Sequence, residues 1–568
     1  MMQGTAGALF LGAHRSSWPG RNGFLYIPVC FWYNFKVLIF VCTVMPEMRR
    51  RIDISEKRGR MMNQNSIVEL LAGWAMERPD VMCAADTKGS ATYREMMQMV
   101  YYLSEMLRAE GVKEGDPVVV ECTQDRAYLA LYLAIELAHG VFVPLESGAA
   151  DARATDIIDD TEAKLYFTQK EYEGRPGWRN VKELKKLAAE TLTEEKTAAF
   201  GAVDLTKLPY PDPEAVSQIL YSTGTTGKSK GIVLTHRNNV ACAENVRYGV
   251  EMKEQNVEFI PMPLSHSHGL RTAYASILNG SGMVLMNGVM FVKIVYDLMD
   301  RYHVTGFDMS PSILRLLFRL SKDKIAEYND QLDYVEIGSA ALPEEDKEHL
   351  KELLPDVRLY DFYGSSESGR SCVLNFNSPD DKPKCIGRPS HNTSFVFTDD
   401  QRREIHATED NPGLLASKGA MNMKGYFKNP ELTASVMKDG YIYTNDLCYV
   451  GEDGLIYYLG RQDDVINCSG VKISPEEVEE VVRHYPNVKD CCCIPVDDPL
   501  KGQAPKVFLQ MEEGAPEFRR ADFMKYCKTA MDATKQPAEV ELIDSIPRTY
   551  NGKLQRKKLI AREKERRA

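Results

Sequence analysis

The chemistry-bearing side chains of this 568-residue chain are densest at residues 221–231, which read YSTGTTGKSKG. Glycine lets a backbone close around an anion, hydroxyls add neutral donors and lysine adds charge, so the stretch reads as a phosphate-gripping loop. A nucleoside-triphosphate loop of the G-x-x-x-x-G-K-[ST] type wraps phosphates in backbone amides. Gly227, Lys228 and Ser229 supply the end of that pattern, but Ser222 stands where its first glycine is required. The hydroxyls of Ser222, Thr223, Thr225 and Thr226 instead suit a loop that closes over phosphates and moves away once they leave. Taken alone, the stretch is also compatible with a Gly/Thr-rich surface turn.

Further motifs follow in order: PLSHSHG (263–269), IGSAALP (337–343), YDFYGSSE (360–367), YTNDL (443–447), GRQDD (460–464) and PRTYNGKLQRKKL (547–559). The set resembles the superfamily of AMP-forming acyl-CoA synthetases, nonribosomal-peptide adenylation domains and luciferases, from about Ser66 to about Leu559. It is most like an acyl-CoA ligase for a fatty acid or related carboxylate. Each motif alone is a weak signal, whereas the loop, GRQDD and PRTYNGK together are a strong one.

The resemblance implies ATP-dependent activation of a carboxylate to an acyl-adenylate, with release of pyrophosphate, and transfer of the acyl group to a thiol. It implies ATP, Mg²⁺ and CoA, or a phosphopantetheine arm, as cofactors. An anionic nucleophile meeting an anionic α-phosphate needs cations and preorganised donors. By resemblance Ser222, Thr223, Gly224, Thr225, Thr226, Gly227 and Lys228 grip the β- and γ-phosphates. Glu367 holds Mg²⁺, with Thr223 beside it. Tyr363 stacks on adenine, with Asp361, Gly364 and the backbone of Gly338, Ser339 and Ala340 around it. Asp446 takes the ribose hydroxyls and Arg461 stands beside it. His266 borders the acyl and adenylate pocket. His268, two residues on, invites a metal reading, but no third ligand is in view. Lys553 is the catalytic lysine that bridges carboxylate and α-phosphate. Asp463 is the hinge, and Gly470 and Lys472 belong to the loop that receives the thiol arm.

Three positions depart from the family pattern. Ser366 replaces a threonine and keeps its hydroxyl. Asn445 replaces a glycine and is expected to adopt the left-handed conformation that glycine often supplies. Pro412-Gly413-Leu414 stands for the usual GEL and bears on local strand pairing. The acid itself is not readable. Its pocket is expected among residues 240–250, 266–272 and Gly369, Arg370 and Ser371, with Arg370 either pairing with a second carboxylate or reaching solvent. Free CoA and an acyl carrier protein both end in the same thiol arm, and a non-catalytic nucleotide-binding homologue stands as the alternative of another class.

The elements that must position these groups are legible upstream. Thr92 and Glu95 make a capping box, and Tyr93, Met96, Met97, Val100, Leu103, Met106 and Leu107 recur at helical spacing until Gly111. A strand PVVVE (117–121), a helix from Arg126 to Ala138 and a strand VFVPL (141–145) form a βαβ unit. Ser474-Pro-Glu-Glu477 opens a later helix with a second capping box. The fold class is α/β: a large N-terminal domain (62–460) with doubly wound, mainly parallel sheets and a small β-rich subdomain, and a small mobile α+β C-terminal domain (461–568).

Composition sets the remaining bounds. A formal charge of −11 argues against a nucleic-acid partner. Thirteen cysteines, odd in number and without ligand spacing, fit a reduced cytoplasmic protein. Cys491, Cys492 and Cys493 fall on a strand, where neighbours point to opposite faces and cannot share an ion. Residues 1–61 read differently, with nine Lys+Arg against three Asp+Glu. Their apolar run 24–45 suggests a weak membrane segment interrupted by Pro28, Asn34 and Lys36, or an extension ahead of a true start at Met61 or Met62.

Overall fold

The computed structural model describes residues 65–222, 230–462, 464–468, 471–499, 501–549 and 554–567, with backbone alone at 222, 471 and 472. The N-terminal extension, with its apolar run, lies outside the described residues. So do Thr223, Gly224, Thr225, Thr226, Gly227, Lys228, Asp463, Gly470 and Lys553 and the side chains of Ser222 and Lys472. Among the described residues no helix is long and apolar enough to cross a membrane.

The capping box at Thr92 forms in both directions: Glu95 N donates to Thr92 Oγ1 at 3.2 Å and Thr92 N to Glu95 Oε2 at 2.8 Å. Such a cap contributes about 1 kcal/mol. The helix it opens, Tyr93–Ala109, buries Tyr93, Met96, Met97, Val100, Leu103 and Leu107 along the predicted stripe. The βαβ unit also forms, as strand Pro117–Glu121, helix Arg126–Leu137 and strand Val141–Leu145, with the two strands paired in parallel.

The described strands build three sheets. In the largest, Met82–Asp86, Gly282–Leu285, Val257–Ile260, Gly306–Met309, Tyr334–Gly338 and Arg358–Ser365 lie parallel in that spatial order. Both faces of this block are covered, and its strands read as nearly continuous buried runs. Gly369–Asn375 turns back antiparallel and leads into an antiparallel lobe of Cys385–Pro389, Thr393–Thr398, Gly413–Gly419, Tyr441–Val450 and Ile456–Arg461. That lobe is the β-rich subdomain, so the sheet is mixed. The second sheet runs parallel from Trp178–Asn180 to Val216–Ser222 and ends in antiparallel Lys230–Thr235 and Gly425–Tyr426. The third is confined to residues 466–542, with helices Pro475–Arg483, Arg520–Ala530 and Arg556–Arg567 around it.

Several local expectations need correction. Ser474 does precede a helix with proline at its first position, but its side chain caps nothing. Its hydroxyl donates to Glu476 Oε2 at 2.6 Å instead. Glu477, which a capping box would turn back, is held by Lys535 at 3.0 Å and by Lys384. Two ammonium groups outweigh one backbone amide. Asn445 lies in the strand Tyr441–Val450 and is not left-handed, so no glycine-like freedom is needed there. Gly413 and Leu414 pair normally with Cys448 and Leu447.

The cysteine run behaves as strand geometry requires. Cys491 and Cys493 pack into one core with Ile466, Val478 and Phe523, while Cys492 faces another with Ile494, Phe508 and Leu559. The described cysteines from Cys83 to Cys527 are all buried free thiols.

Candidate active site

The site collects at the carboxyl ends of the parallel strands, where α/β sheets open a crevice. The strand Tyr334–Gly338 ends in Gly338, Ser339 and Ala340. A side chain on Gly338 would meet the Phe362 ring at 2.2 Å, so only glycine lets the two strands pack here. The neighbouring strand Arg358–Ser365 carries Asp361 opposite Ile337, then Tyr363 and Gly364. Gly364 faces the carbonyl of Gly369 so closely that a Cβ would lie 2.1 Å from it, which keeps the following turn tight.

That turn presents Glu367, and residues outside the expected set hold it in place. Arg271, buried on helix Ser267–Asn279, donates to the carbonyls of Ser365 and Ser366 at 2.8 Å each. Tyr426 donates to Glu367 Oε1 at 2.9 Å. Among the described residues Tyr426 engages only Oε1, and Glu367 Oε2 is the hard oxygen a Mg²⁺ ion prefers, so the carboxylate fits the expected metal. Lys230 lies 5.8 Å over the Tyr426 ring. Ser222 and Lys230, which flank the 223–229 stretch, are paired in register.

Tyr363 and Asp446 meet across two strands. The phenol donates to Asp446 Oδ2 at 2.5 Å, and Arg461 stands 3.8 Å from Oδ1. Burial, and then the Asp446 carboxylate, holds the Tyr363 phenol well above its usual range. Burial raises the Asp361 carboxyl to about 7, partly offset by the Lys347 ammonium. His266 sits at the N-cap of helix Ser267–Asn279 without capping it. Its Nε2 is buried and has no partner among the described residues. Burial lowers its pKa, with Arg153 and His268 acting the same way and Glu146 opposing. A neutral imbedded imidazole results.

Two further histidine and arginine expectations resolve. His268 spends both ring nitrogens on protein partners, Ser339 Oγ at 2.7 Å and Asp308 Oδ1 at 2.5 Å, which leaves none for a metal. Arg370 neither reaches solvent nor awaits a substrate carboxylate. It is 2% exposed, ion-paired with Glu336, and its guanidinium lies 3.7 Å over the Phe362 ring. Breaking such a buried pair costs about 3–5 kcal/mol, so Arg370 builds the floor beneath Phe362.

In the C-terminal part, Arg548 and Leu554, on either side of Lys553 in sequence, form an isolated antiparallel bridge. Arg548 makes two 2.8 Å hydrogen bonds to Asp490. Arg556 reaches Glu476 at 2.9 Å and Asp464 at 3.7 Å and also contacts Glu479. The structure thus brings together Gly338, Ser339, Ala340, Asp361, Tyr363, Gly364, Glu367, Asp446 and Arg461, with His266 close by.

Residues 71–427 match the family described as AMP-binding enzyme, and residues 477–553 match the AMP-binding enzyme C-terminal domain. A 2-succinylbenzoate–CoA ligase of Geobacillus kaustophilus is 27% identical over 502 residues, 86% of this chain and 97% of that protein. A long-chain-fatty-acid–CoA ligase of Bacillus subtilis is 30% identical over 386 residues, 66% of each. Among solved structures, the o-succinylbenzoate CoA synthetase of Bacillus subtilis with its acyl-adenylate intermediate has a TM-score of 0.75 at 23% identity, covering 86% of this chain and 97% of that one. ATP-bound MatB of Rhodopseudomonas palustris has a TM-score of 0.74 at 23% identity, covering 88% and 98%.

Proposed function

The chain belongs to the AMP-binding enzyme family of adenylate-forming acid–thiol ligases, and from that premise we propose that it converts a carboxylic acid, ATP and CoA into an acyl-CoA, AMP and pyrophosphate. The observation that carries this reading is the convergence of Tyr363 and Glu367, from one turn, with Asp446, 83 residues further along the chain, on one crevice.

Tyr363 offers its ring to adenine while Asp446 accepts from the ribose hydroxyls, a pair of acceptors matched to a pair of donors. Glu367 would hold Mg²⁺, whose charge offsets that of the phosphates. Residues 222–228 grip the β- and γ-phosphates. His266, neutral and unpartnered among the described residues, borders the acyl carboxylate without adding charge. Lys553 then bridges carboxylate and α-phosphate, and the small domain turns about Asp463 so that Gly470 and Lys472 receive the thiol arm. Free CoA is the favoured acceptor because the relatives are named CoA ligases.

A pyrophosphate-release screen across fatty, aromatic, amino and hydroxy acids tests the first half. Thioester formation with free CoA against a purified acyl carrier protein tests the second. Release without any acid dependence, or none with any acid, contradicts the reading.

A further inference from the structure

The side chains of Ser339, His268 and Asp308 form a hydrogen-bonded line to which the adenylation reading gives no role, since it uses only the backbone of Ser339. Asp308 is fully buried and accepts from Thr272 Oγ1 at 3.1 Å. It therefore also accepts from His268 Nε2–H, at 2.5 Å, which fixes the tautomer and leaves Nδ1 to accept the Ser339 hydroxyl at 2.7 Å. His268 is buried, while Ser339 is exposed. Ser339 follows the strand Tyr334–Gly338 and precedes helix Glu344–Leu353, with φ at +74°. A non-glycine residue held there is strained, and such strain collects at functional positions. An exposed serine on a strained strand-to-helix turn, a histidine base and a buried carboxylate that orients it are the parts of an activated nucleophile.

We propose that Ser339, His268 and Asp308 are an acyl-transfer site that hydrolyses the acyl-adenylate when no thiol takes it; this rests on the adenylation reading above. Ser339 Oγ attacks the acyl carbonyl carbon, and its proton passes to His268 Nδ1. The bond from that carbon to the phosphate oxygen breaks, and AMP leaves with the electron pair. His268 releases the proton to solvent. It next takes a proton from water as the water oxygen attacks the acyl-serine ester, and returns it to Ser339 Oγ as the ester bond breaks. The sum is acyl-adenylate plus water to acid plus AMP. The leaving phosphate needs no protonation, so the serine and its base are the only groups this step requires.

The test needs neither ATP nor the natural acid. The full chain is treated with diisopropyl fluorophosphate, in which a phosphorus–Oγ bond replaces the phosphorus–fluorine bond, and the labelled peptide is identified by mass spectrometry. Label is expected on Ser339, at least ten-fold slower in His268→Gln and Asp308→Asn. Synthetic acetyl- and octanoyl-adenylate are then supplied without thiol. Free acid is expected at least ten-fold faster than the spontaneous rate with the wild type, and near the spontaneous rate with the exposed-site variant Ser339→Ala, whose fold circular dichroism checks. No label on Ser339 of the folded wild type overturns the proposal. Label without faster hydrolysis of either adenylate overturns it too, as does unchanged hydrolysis in Ser339→Ala. Failure of the adenylation reading shows separately, as absent acid-dependent pyrophosphate release from ATP.

Discussion

The hydroxyl of Tyr363 donates to Asp446 at 2.5 Å across 83 residues of sequence. The side chain assigned to adenine and the one assigned to ribose are therefore one unit before ATP arrives. A hydrogen bond to a charged acceptor is worth about 1.5–3 kcal/mol. Tyr363→Phe keeps the ring and removes the tie, so KM for ATP is expected to rise about ten-fold with little change in thermal stability. An unchanged KM would mean that Asp446 is oriented by other groups.

Asp361 gives a pH dependence with a definite sign. Burial raises its folded pKa to about 7, above its ordinary value of 3.8. The folded state then binds more protons than the unfolded state between those values, and stability falls as pH rises through that window, by at most about 1.4 kcal/mol per pH unit. Asp361→Asn removes the burden. Its melting temperature is expected to exceed the wild type's most above pH 7 and to converge with it toward pH 4. A gain that is constant with pH contradicts the assignment.

Arg556 ties the end of the lysine-bearing segment to Glu476, Glu479 and Asp464. Arg556→Met takes the nearest cation from the buried Glu479 and Asp464 carboxylates, leaving Glu479 only Arg483 at 3.6 Å, and is expected to cost about 3 kcal/mol in denaturant unfolding. Adenylation is expected to fall more than thioester formation from supplied adenylate. Arg556→Lys, which keeps charge without the planar fork, is expected to recover part of both. Equal loss in the two half-reactions would assign Arg556 to general stability alone.

Asp463 is the proposed hinge, and hinges absorb rotation at a few backbone positions. Asp463→Pro fixes φ there and is expected to retain one half-reaction and largely lose the other. Single-turnover assays of pyrophosphate release and thioester formation read the two separately. Equal loss with the fold intact places the hinge elsewhere.

Residue types alone carried the capped helix at Thr92, the βαβ unit and the alternation of the cysteine run, because local periodicity and sterics decide them. The proposed members of the nucleotide crevice came instead from the family resemblance that the ordered motifs carry. The fate of Arg370 was not legible. Its partner Glu336 lies two strands away in the sheet, and a charge is buried only when such a partner is present. Ser474 failed as a cap for a similar reason, since Lys384 and Lys535 arrive from distant segments to claim Glu477. Tyr426, which holds Glu367, sits in a stretch with no motif of its own, and Arg271 falls in the 266–272 segment expected to line the acid pocket but serves the turn of Glu367 instead. The Ser339–His268–Asp308 line is equally hidden, because its three members come from separate segments.

The central claim is that Lys553 drives adenylation at the crevice of Tyr363, Asp446 and Glu367. Removing one preorganised charge from a transition state typically lowers the rate about 10²- to 10³-fold. The deciding measurement is a pair of single-turnover assays on Lys553→Ala and wild type, one following pyrophosphate from ATP and acid, the other following thioester from synthetic adenylate and CoA. The account predicts pyrophosphate release suppressed by at least that order with thioester formation retained. Pyrophosphate release by Lys553→Ala at the wild-type rate would contradict it.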